Sequence, residues 1–307
     1  MRQLPLLFAG RAALQLVVFV LLAAAMAVPA AARDAKYAEG IFWKVQRDGG
    51  PESFVLGVVH STDPRLRELP EQIRQPFVSA RDVVFELPQD PEGAAAFSSA
   101  MMLQGDIGLE RILGDALFGS VSQAALRYGL NPQALRGLQP WALGTFLAFS
   151  PTEFARLRSG AQVFDDWLMD TAQRRGKAVH GLESYQERIA FFDSMSQADQ
   201  VVMVTDLVAD NAKIEAQQAR VLNAYLKSEL GNVFTLLTDM SGVNDEQAAR
   251  KFLQRLIFDR NAIMATRMEP FLRRGNTFVA IGALHLPGEA GVLDLLERQG
   301  YRITRVY

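Results

Sequence analysis

Two histidines, His60 and His285, have the residue type and the setting that could carry out chemistry. Each closes an apolar run of the chain, and in each run a glycine stands three positions earlier, Gly57 and Gly282. Such runs predict buried strands, so each imidazole is expected at the carboxyl end of a strand. Open α/β sheets build their sites at this edge, and the two imidazoles could share one metal ion. The glycines lack a Cβ, which permits a bulge or a close backbone approach beside the ligands.

Two glutamates, Glu86 and Glu183, also follow short β-rich runs and are predicted at the same edge. Imidazole and carboxylate are ligands that suit zinc, manganese, iron or cobalt, and a site with an open position can activate water. We therefore predict His60, His285, Glu86 and Glu183 as metal ligands. Alternatively, one of the two glutamates is the base that takes a proton from the bound water. For each glutamate an ion pair with an arginine is the competing interpretation, because a buried carboxylate needs a partner.

Arg260 and Asn261 stand in a strongly apolar helical segment. A buried arginine there must pair with an acid or with a substrate carboxylate, and both interpretations stay open. We predict that Arg260 and Asn261 support the acids or the substrate carbonyl. The third histidine, His180, lies inside its run without the glycine, which favours a packing or surface role.

The elements that must position these residues alternate along the chain. Strands are predicted at 41–45, 53–59, 82–87, 177–182, 277–282 and 302–306, and helical regions after Pro64, at 90–173, 185–274 and 290–299. This order predicts an α/β fold with a central mixed, largely parallel sheet and large helical insertions, in a single domain over residues 33–307.

The first 32 residues are typical of a secretory signal peptide. Arg2 and Arg11 precede an almost uncharged stretch that reaches Ala32, after which cleavage is expected. An uncleaved membrane tether is the alternative, and either outcome places the folded part outside the cytoplasm, in the periplasm. No other run is long enough to cross a membrane. The chain has no cysteine, so its fold needs no disulfide in an oxidising compartment.

The composition and the motifs argue against several common functional classes of protein. The net charge is −2, with no basic stripe, so nucleic acid is not an expected partner. The chain has no Gly-x-Ser-x-Gly elbow, phosphate-binding glycine loop or His-Glu-x-x-His helix, which removes the usual support for serine hydrolases, nucleotide enzymes and zincins.

Five segments, taken in order, resemble a known family. They are Leu-Gly-Val-Val-His-Ser at 56–61, Val-Phe-Glu-Leu at 84–87, Gly-Lys-Ala-Val-His-Gly-Leu-Glu at 176–183 with Glu187, Asp-Arg-Asn at 259–261 with Met264, and Ala-Ile-Gly-Ala-Leu-His-Leu-Pro-Gly at 280–288 leading into Gly291, Val292, Leu293 and Leu296. By these motifs the chain resembles the TraB/GumN family, which includes the Tiki proteins and is distantly similar to the erythromycin-esterase and ChaN-like group. Val58 stands where family members often have threonine.

The resemblance implies an α/β core with the paired Gly-x-x-His motifs as its catalytic or metal-binding centre. By analogy with Tiki it implies a protease that depends on a divalent metal ion, namely manganese, cobalt or zinc, and that acts on a peptide or protein substrate. The alternative function is a periplasmic protein that binds a metal or haem without catalysis, as the ChaN resemblance allows. Fold alone does not choose between these functions.

Overall fold

The described part of the chain is built around one six-stranded mixed sheet. The computed structural model describes residues 35–239 and 245–307. The strands are β1 (Phe42–Arg47), β2 (Glu52–Val58), β3 (Asp82–Phe85), β4 (Ala178–Gly181), β5 (Thr277–Gly282) and β6 (Tyr301–Arg305). They lie in the order β4-β3-β5-β2-β1-β6, so strands from the two ends and the middle of the chain are neighbours.

Four neighbouring strands, β4, β3, β5 and β2, run parallel to one another. Strand β5 lies between β2 and β3, although it follows them by about two hundred residues. Every residue of β3 and of β5 is buried, as expected for inner parallel strands covered on both faces. Strand β1 is antiparallel to both β2 and β6, and β6 is the edge strand on this side of the sheet.

Helices fill the long connections between these strands. They are α1 (Glu71–Ser79), α2 (Pro91–Ala100), α3 (Leu109–Leu113), α4 (Asp115–Arg127), α5 (Pro132–Leu135), α6 (Pro140–Leu147), α7 (Pro151–Arg158), α8 (Phe164–Arg174), α9 (Tyr185–Asp193), α10 (Gln197–Asp210), α11 (Ile214–Leu226), α12 (Leu230–Thr238), α13 (Glu246–Leu253), α14 (Asp259–Arg274) and α15 (Val292–Arg298). Helices α2 to α8 form the insertion between β3 and β4, and α9 to α14 form the insertion between β4 and β5.

An aromatic cluster joins the two insertions. The rings of Trp141 on α6 and Phe192 on α9 stack with centroids 4.2 Å apart, and Phe97 on α2 packs against both. All three side chains are buried. Because aromatic side chains bury large apolar areas, this contact ties the insertions into one core with the sheet. The α/β fold in a single domain, with its mixed and largely parallel sheet, is therefore confirmed.

One predicted element differs from the structure. The helix expected directly after Pro64 is a short 3₁₀ turn, Pro64–Arg67, and the α-helix starts only at Glu71. The side chain of Asp63 accepts from the backbone of Arg65 and caps the short turn. Pro70 cannot donate a backbone hydrogen bond and occupies the N-cap position of α1, which separates the two elements.

The predicted leader, residues 1–32, lies outside the described residues, as do residues 240–244 of the predicted second helical region. Among the helices of the described ranges, none is both long and apolar enough to span a bilayer.

Candidate functional site

The carboxyl ends of the parallel strands bring the predicted groups to one edge of the sheet. His60 follows β2, Glu86 follows β3 directly, and Glu183 lies just beyond β4. Strand β5 ends at Gly282 and continues into a 3₁₀ turn, Ala283–His285. The parallel register pairs the last residue of β2 with Gly282, so residues far apart in sequence meet here.

Glu86 lies at the centre of the site. Its Oε1 accepts a hydrogen bond from the backbone N–H of Gly282 at 2.8 Å. Its Oε2 accepts from Nη2 of Arg260 at 2.6 Å and from Nη2 of Arg188 at 3.3 Å. The carboxylate is thus fixed by one backbone donor and two guanidinium groups, and the arginine ion pair considered from the sequence is present.

Glu183 shares the same two arginines. Its Oε1 accepts from Nε of Arg260 at 2.7 Å, and its Oε2 accepts from Nη2 of Arg260 and of Arg188, each at 2.7 Å. The four side chains, which we call the acid–arginine cluster, are Glu86, Glu183, Arg188 and Arg260. Their formal charges balance, which is the condition for burying so many ions together.

Both glutamates of the cluster stay ionised. Burial acts to raise the pKa of Glu86, but the charges of Arg260 and Arg188 oppose it and hold the pKa well below its ordinary value. Burial acts the same way on Glu183, and the same two arginines again lower its pKa. Each group is therefore an anion at neutral pH and a weak acceptor of protons.

A π-helical turn, Gln254–Phe258, precedes α14 and presents Arg260 to the acids. Nη1 of Arg260 donates to the backbone carbonyl of Leu256 within this turn at 2.8 Å. Such turns occur often at functional sites, because they shift the side chains that follow relative to a regular α-helix. The apolar pattern of the segment predicted a helix but gave no sign of the wider turn.

His285 is completely buried and is oriented by Asn261. Its Nδ1 lies 2.7 Å from Oδ1 of Asn261, while Nδ2 of Asn261 donates to the carbonyl of Ala290 at 2.7 Å. Since the amide oxygen can only accept, Nδ1 of His285 carries the proton and Nε2 carries the lone pair. Within residues 35–239 and 245–307, that Nε2 has no hydrogen-bond partner, and it lies 3.7 Å from Oε1 of Glu86. Burial lowers the pKa of His285 to about 4, so the ring is neutral.

The two predicted glycines allow close packing at the site. A Cβ on Gly282 would lie 3.0 Å from Oε1 of Glu86 and 3.3 Å from the His285 ring. A Cβ on Gly57 would lie 2.8 Å from the Leu286 side chain, so this glycine lets the turn after β5 approach β2. Backbone approaches closely at Gly57, where Cα of Ala283 would lie 3.2 Å from such a Cβ, whereas the close atoms at Gly282 belong to side chains.

His60 is buried and lines an inner cavity together with Glu86. Its Nδ1 is 3.1 Å from Oδ1 of Asp165, a contact that the sequence analysis missed. Burial acts to lower the pKa of His60, but Asp165 and Glu86 act against it and raise the pKa above its ordinary value. His60 and Glu86 line the same inner cavity, and Nε2 of His285 lies 3.7 Å from Oε1 of Glu86, so both imidazoles adjoin one carboxylate.

The loop after His60 is held by Glu153 of α7. Its carboxylate accepts from Oγ of Ser61 at 2.5 Å and from the backbone N–H of Thr62 at 3.0 Å, and also from the hydroxyl of Thr62. All three residues are buried. These bonds fix the direction in which the chain leaves β2 and therefore the placement of the His60 ring.

Two cavities meet at His60. An inner cavity of about 10 Å³ is lined by His60, Glu86, Asp165 and Arg188. An outer cleft of about 180 Å³ lies between the loop after β2 and helices α7 and α11, with Arg156 and Asn223 among its lining residues. His60 belongs to the walls of both spaces, so the cleft adjoins the inner site.

His180 lies apart from these groups. Its Nε2 is 2.8 Å from Oδ1 of Asp82 at the start of β3, and its ring packs against Phe271. The side chain thus has the packing and surface setting indicated by its sequence.

The fold and the site define an α/β protein with paired Gly-x-x-His motifs around a buried acid–arginine cluster. The chain belongs to the TraB/PrgY/gumN family, whose sequence model matches residues 41–305. This confirms the resemblance found in the motifs.

The chain is also similar to curated proteins named Tiki metalloproteases. Metalloprotease TIKI1 of Danio rerio is 22% identical over 310 residues, covering 85% of this chain and 62% of that protein. Metalloprotease TIKI1 of Homo sapiens is 22% identical, with coverage of 85% and 61%. A metalloprotease TIKI homolog of Nematostella vectensis is 24% identical, with coverage of 86% and 66%. The chain thus spans about three fifths of the length of the first two. The search of solved structures gives no significant match.

Proposed function

We propose that this protein is an exported hydrolase that depends on a divalent metal ion and cleaves peptide bonds. Two findings support the reaction class, membership of the TraB/PrgY/gumN family and similarity to proteins named metalloproteases. The observation that carries the proposal is the pair of imidazoles, His60 and His285, each held through Nδ1 and each beside Glu86. Export rests on the predicted leader.

A divalent ion needs several nitrogen or oxygen donors around it. Among the described residues, no three His, Cys, Asp or Glu side chains are already close enough together to hold a metal ion. The chemistry of three donors nevertheless fits, because imidazole nitrogen and carboxylate oxygen suit manganese, cobalt and zinc. His285 offers a buried Nε2 lone pair, and Gly282 leaves the space of a Cβ open beside it and beside Glu86. We assign His60, His285 and Glu86 as the residues that would hold the ion.

Glu183 suits a different role from the predicted one of ligand. Both of its oxygens already accept from Arg260 and Arg188, and a ligand role would require breaking these bonds. We propose that Glu183 holds the two guanidinium groups in place. The low pKa of both glutamates also makes either one a weak general base.

A bound divalent ion would polarise the substrate carbonyl and lower the pKa of a water molecule. The arginines supply positive charge near the place where negative charge develops during amide hydrolysis. Arg188 lines the inner cavity together with His60 and Glu86, and we propose that it donates to the substrate carbonyl. Arg260 and Asn261 act through other groups, since they orient Glu86 and His285 respectively.

The substrate in this proposal is a peptide or protein segment that lies in the outer cleft. The cleft adjoins His60, and its lining combines apolar residues such as Leu222 with polar side chains such as Asn223. Such a lining can bind both the backbone and the apolar side chains of an extended peptide.

The test is digestion of a broad peptide library, read by mass spectrometry, with and without a chelator. We expect cleavage by the wild-type protein, its loss with chelator and its return with Mn²⁺ or Co²⁺. His285→Ala is expected to abolish cleavage, whereas His180→Ala, the matched control, is expected to retain it. Cleavage that resists the chelator would contradict metal dependence. Stoichiometric uptake of a metal ion or haem without any cleavage would support the non-catalytic alternative.

A further inference from the structure

His60 is buried against a carboxylate that belongs to a different part of the chain. Oδ1 of Asp165 lies 3.1 Å from Nδ1 of His60, although 105 residues separate them. Both side chains are about 6% exposed. A buried carboxylate needs a donor, and a buried imidazole in a fixed orientation needs an acceptor, so this contact satisfies both.

The backbone holds these two residues in register. The N–H of Phe164, the first residue of α8, donates to the carbonyl of Ser61 at 3.0 Å. Asp165 is the next residue of α8, and His60 immediately precedes Ser61. The start of α8 is thus bonded to the loop that carries the imidazole, which fixes the carboxylate beside it. The amino end of a helix also favours negative charge at this position.

The arrangement repeats at the other histidine with a different acceptor. Oδ1 of Asn261, from α14, lies 2.7 Å from Nδ1 of His285. In both cases a side chain in the first turn of a helix occupies Nδ1 of the ring. One histidine is held by a carboxylate and the other by an amide.

We propose that Asp165 is a positioning residue for the metal centre, because it accepts the Nδ1 proton of His60 and directs Nε2 of that ring towards the ion. The inference rests on the proposed function, since it assumes that His60 is a ligand. A carboxylate behind a ligating imidazole fixes its tautomer and its orientation and increases its basicity as a ligand. Asp165 itself does not touch the ion or the substrate.

The test is a titration of the metal-free full chain with Co²⁺, followed by visible absorption. The variants are Asp165→Ala, which removes the acceptor, and Asp165→Asn, which keeps an oxygen of the kind that Asn261 supplies. Asp170→Asn is the matched control, because Asp170 lies on the same helix and bonds to Gln162. Thermal melting of each metal-free variant shows whether the fold is retained.

We expect Asp165→Ala to bind Co²⁺ about 10- to 100-fold more weakly than the wild type. We expect a smaller loss for Asp165→Asn, with a changed absorption band for the bound ion, and no change for Asp170→Asn. If Asp165→Ala does not fold, the absorption band and affinity of Asp165→Asn decide the question.

Two outcomes would overturn the inference, and they differ. If the wild type binds Co²⁺ and folded Asp165 variants bind it with the same affinity and spectrum, Asp165 has no positioning role, and the proposed metal centre stands. If the wild type itself binds no Co²⁺, the proposed function fails, and the inference fails with it.

Discussion

Replacement of Arg260 is expected to destabilise the protein strongly. Nη2 of this arginine bonds to both Glu86 and Glu183, at 2.6 and 2.7 Å, and its Nε donates to Glu183 at 2.7 Å. Arg260→Met removes one of the two positive charges in the acid–arginine cluster. Two buried carboxylates then share Arg188 alone, and one negative charge remains without compensation.

The magnitude follows from burial. The side chain of Arg260 is 8% exposed, and those of Glu86 and Glu183 are 11% and 7% exposed. Removing one partner of such a buried pair costs about 3 to 5 kcal/mol, since the remaining charge loses its compensation without returning to water. This is a large share of the total stability of an ordinary domain.

The assay is urea unfolding at pH 7, with Arg267→Met as the control. Arg267 lies on the same helix, α14, and pairs with Glu187, but these side chains are 42% and 45% exposed. An exposed pair contributes up to about 1 kcal/mol. We therefore expect the free energy of unfolding to fall several times more for Arg260→Met than for Arg267→Met.

A double variant checks that charge balance is the cause. Adding Glu183→Gln to Arg260→Met removes one acid and restores neutrality, so the double variant is expected to recover about 1 to 3 kcal/mol relative to the sum of the single effects. Equal losses for Arg260→Met and Arg267→Met, or strict additivity in the double variant, would refute this reasoning.

Three further predictions follow from neighbouring contacts. Gly282→Ala should weaken Co²⁺ binding, because its Cβ would lie 3.0 Å from Glu86. The control Gly119→Ala, whose Cβ has nothing within 4 Å, should keep the Co²⁺ affinity and raise the melting temperature slightly. Equal Co²⁺ affinity in both variants would contradict this prediction. The pKa of His285 is about 4 when folded and about 6.5 when unfolded, so below pH 6.5 the unfolded chain binds more protons and the protein loses stability as the pH is lowered. In urea titrations of metal-free protein, the wild type should lose about 3 kcal/mol more than His285→Gln between pH 7 and pH 4, and parallel curves would contradict the assignment. Tyr225→Phe removes a 2.7 Å hydrogen bond to the carbonyl of Gly57 and should cost about 1 to 3 kcal/mol in urea unfolding, so an unchanged midpoint would argue against that bond.

The sequence predicted the strands and their shared edge because each strand is a local apolar pattern. The apolar runs that end at His60, Glu86 and His285 predict buried strands, and parallel strands have their carboxyl ends at the same edge of the sheet. The order of the strands in the sheet could not be predicted from local sequence patterns. Strand β5 enters between β2 and β3, and this choice depends on packing contacts between segments far apart in sequence.

The site residues that the sequence analysis missed carry no local signal. Asp165 stands in the first turn of α8, where acidic residues are common because they favour the helix dipole, so its contact with His60 was hidden. Arg188 lies on α9 near other charged residues, so the local sequence predicts a solvent-exposed side chain. Arg260 was noticeable only because its segment is strongly apolar, which is why the need for an acidic partner could be foreseen.

The most direct test of the central claim is the metal content of purified protein after loading with Mn²⁺ and removal of unbound ions. The wild type and His180→Ala are expected to retain about one ion per chain, because the histidine that pairs with Asp82 lies outside the site. The double variant His60→Ala/His285→Ala is expected to retain almost none. Equal retention by the double variant and the wild type would contradict the claim that these two imidazoles bind a common ion.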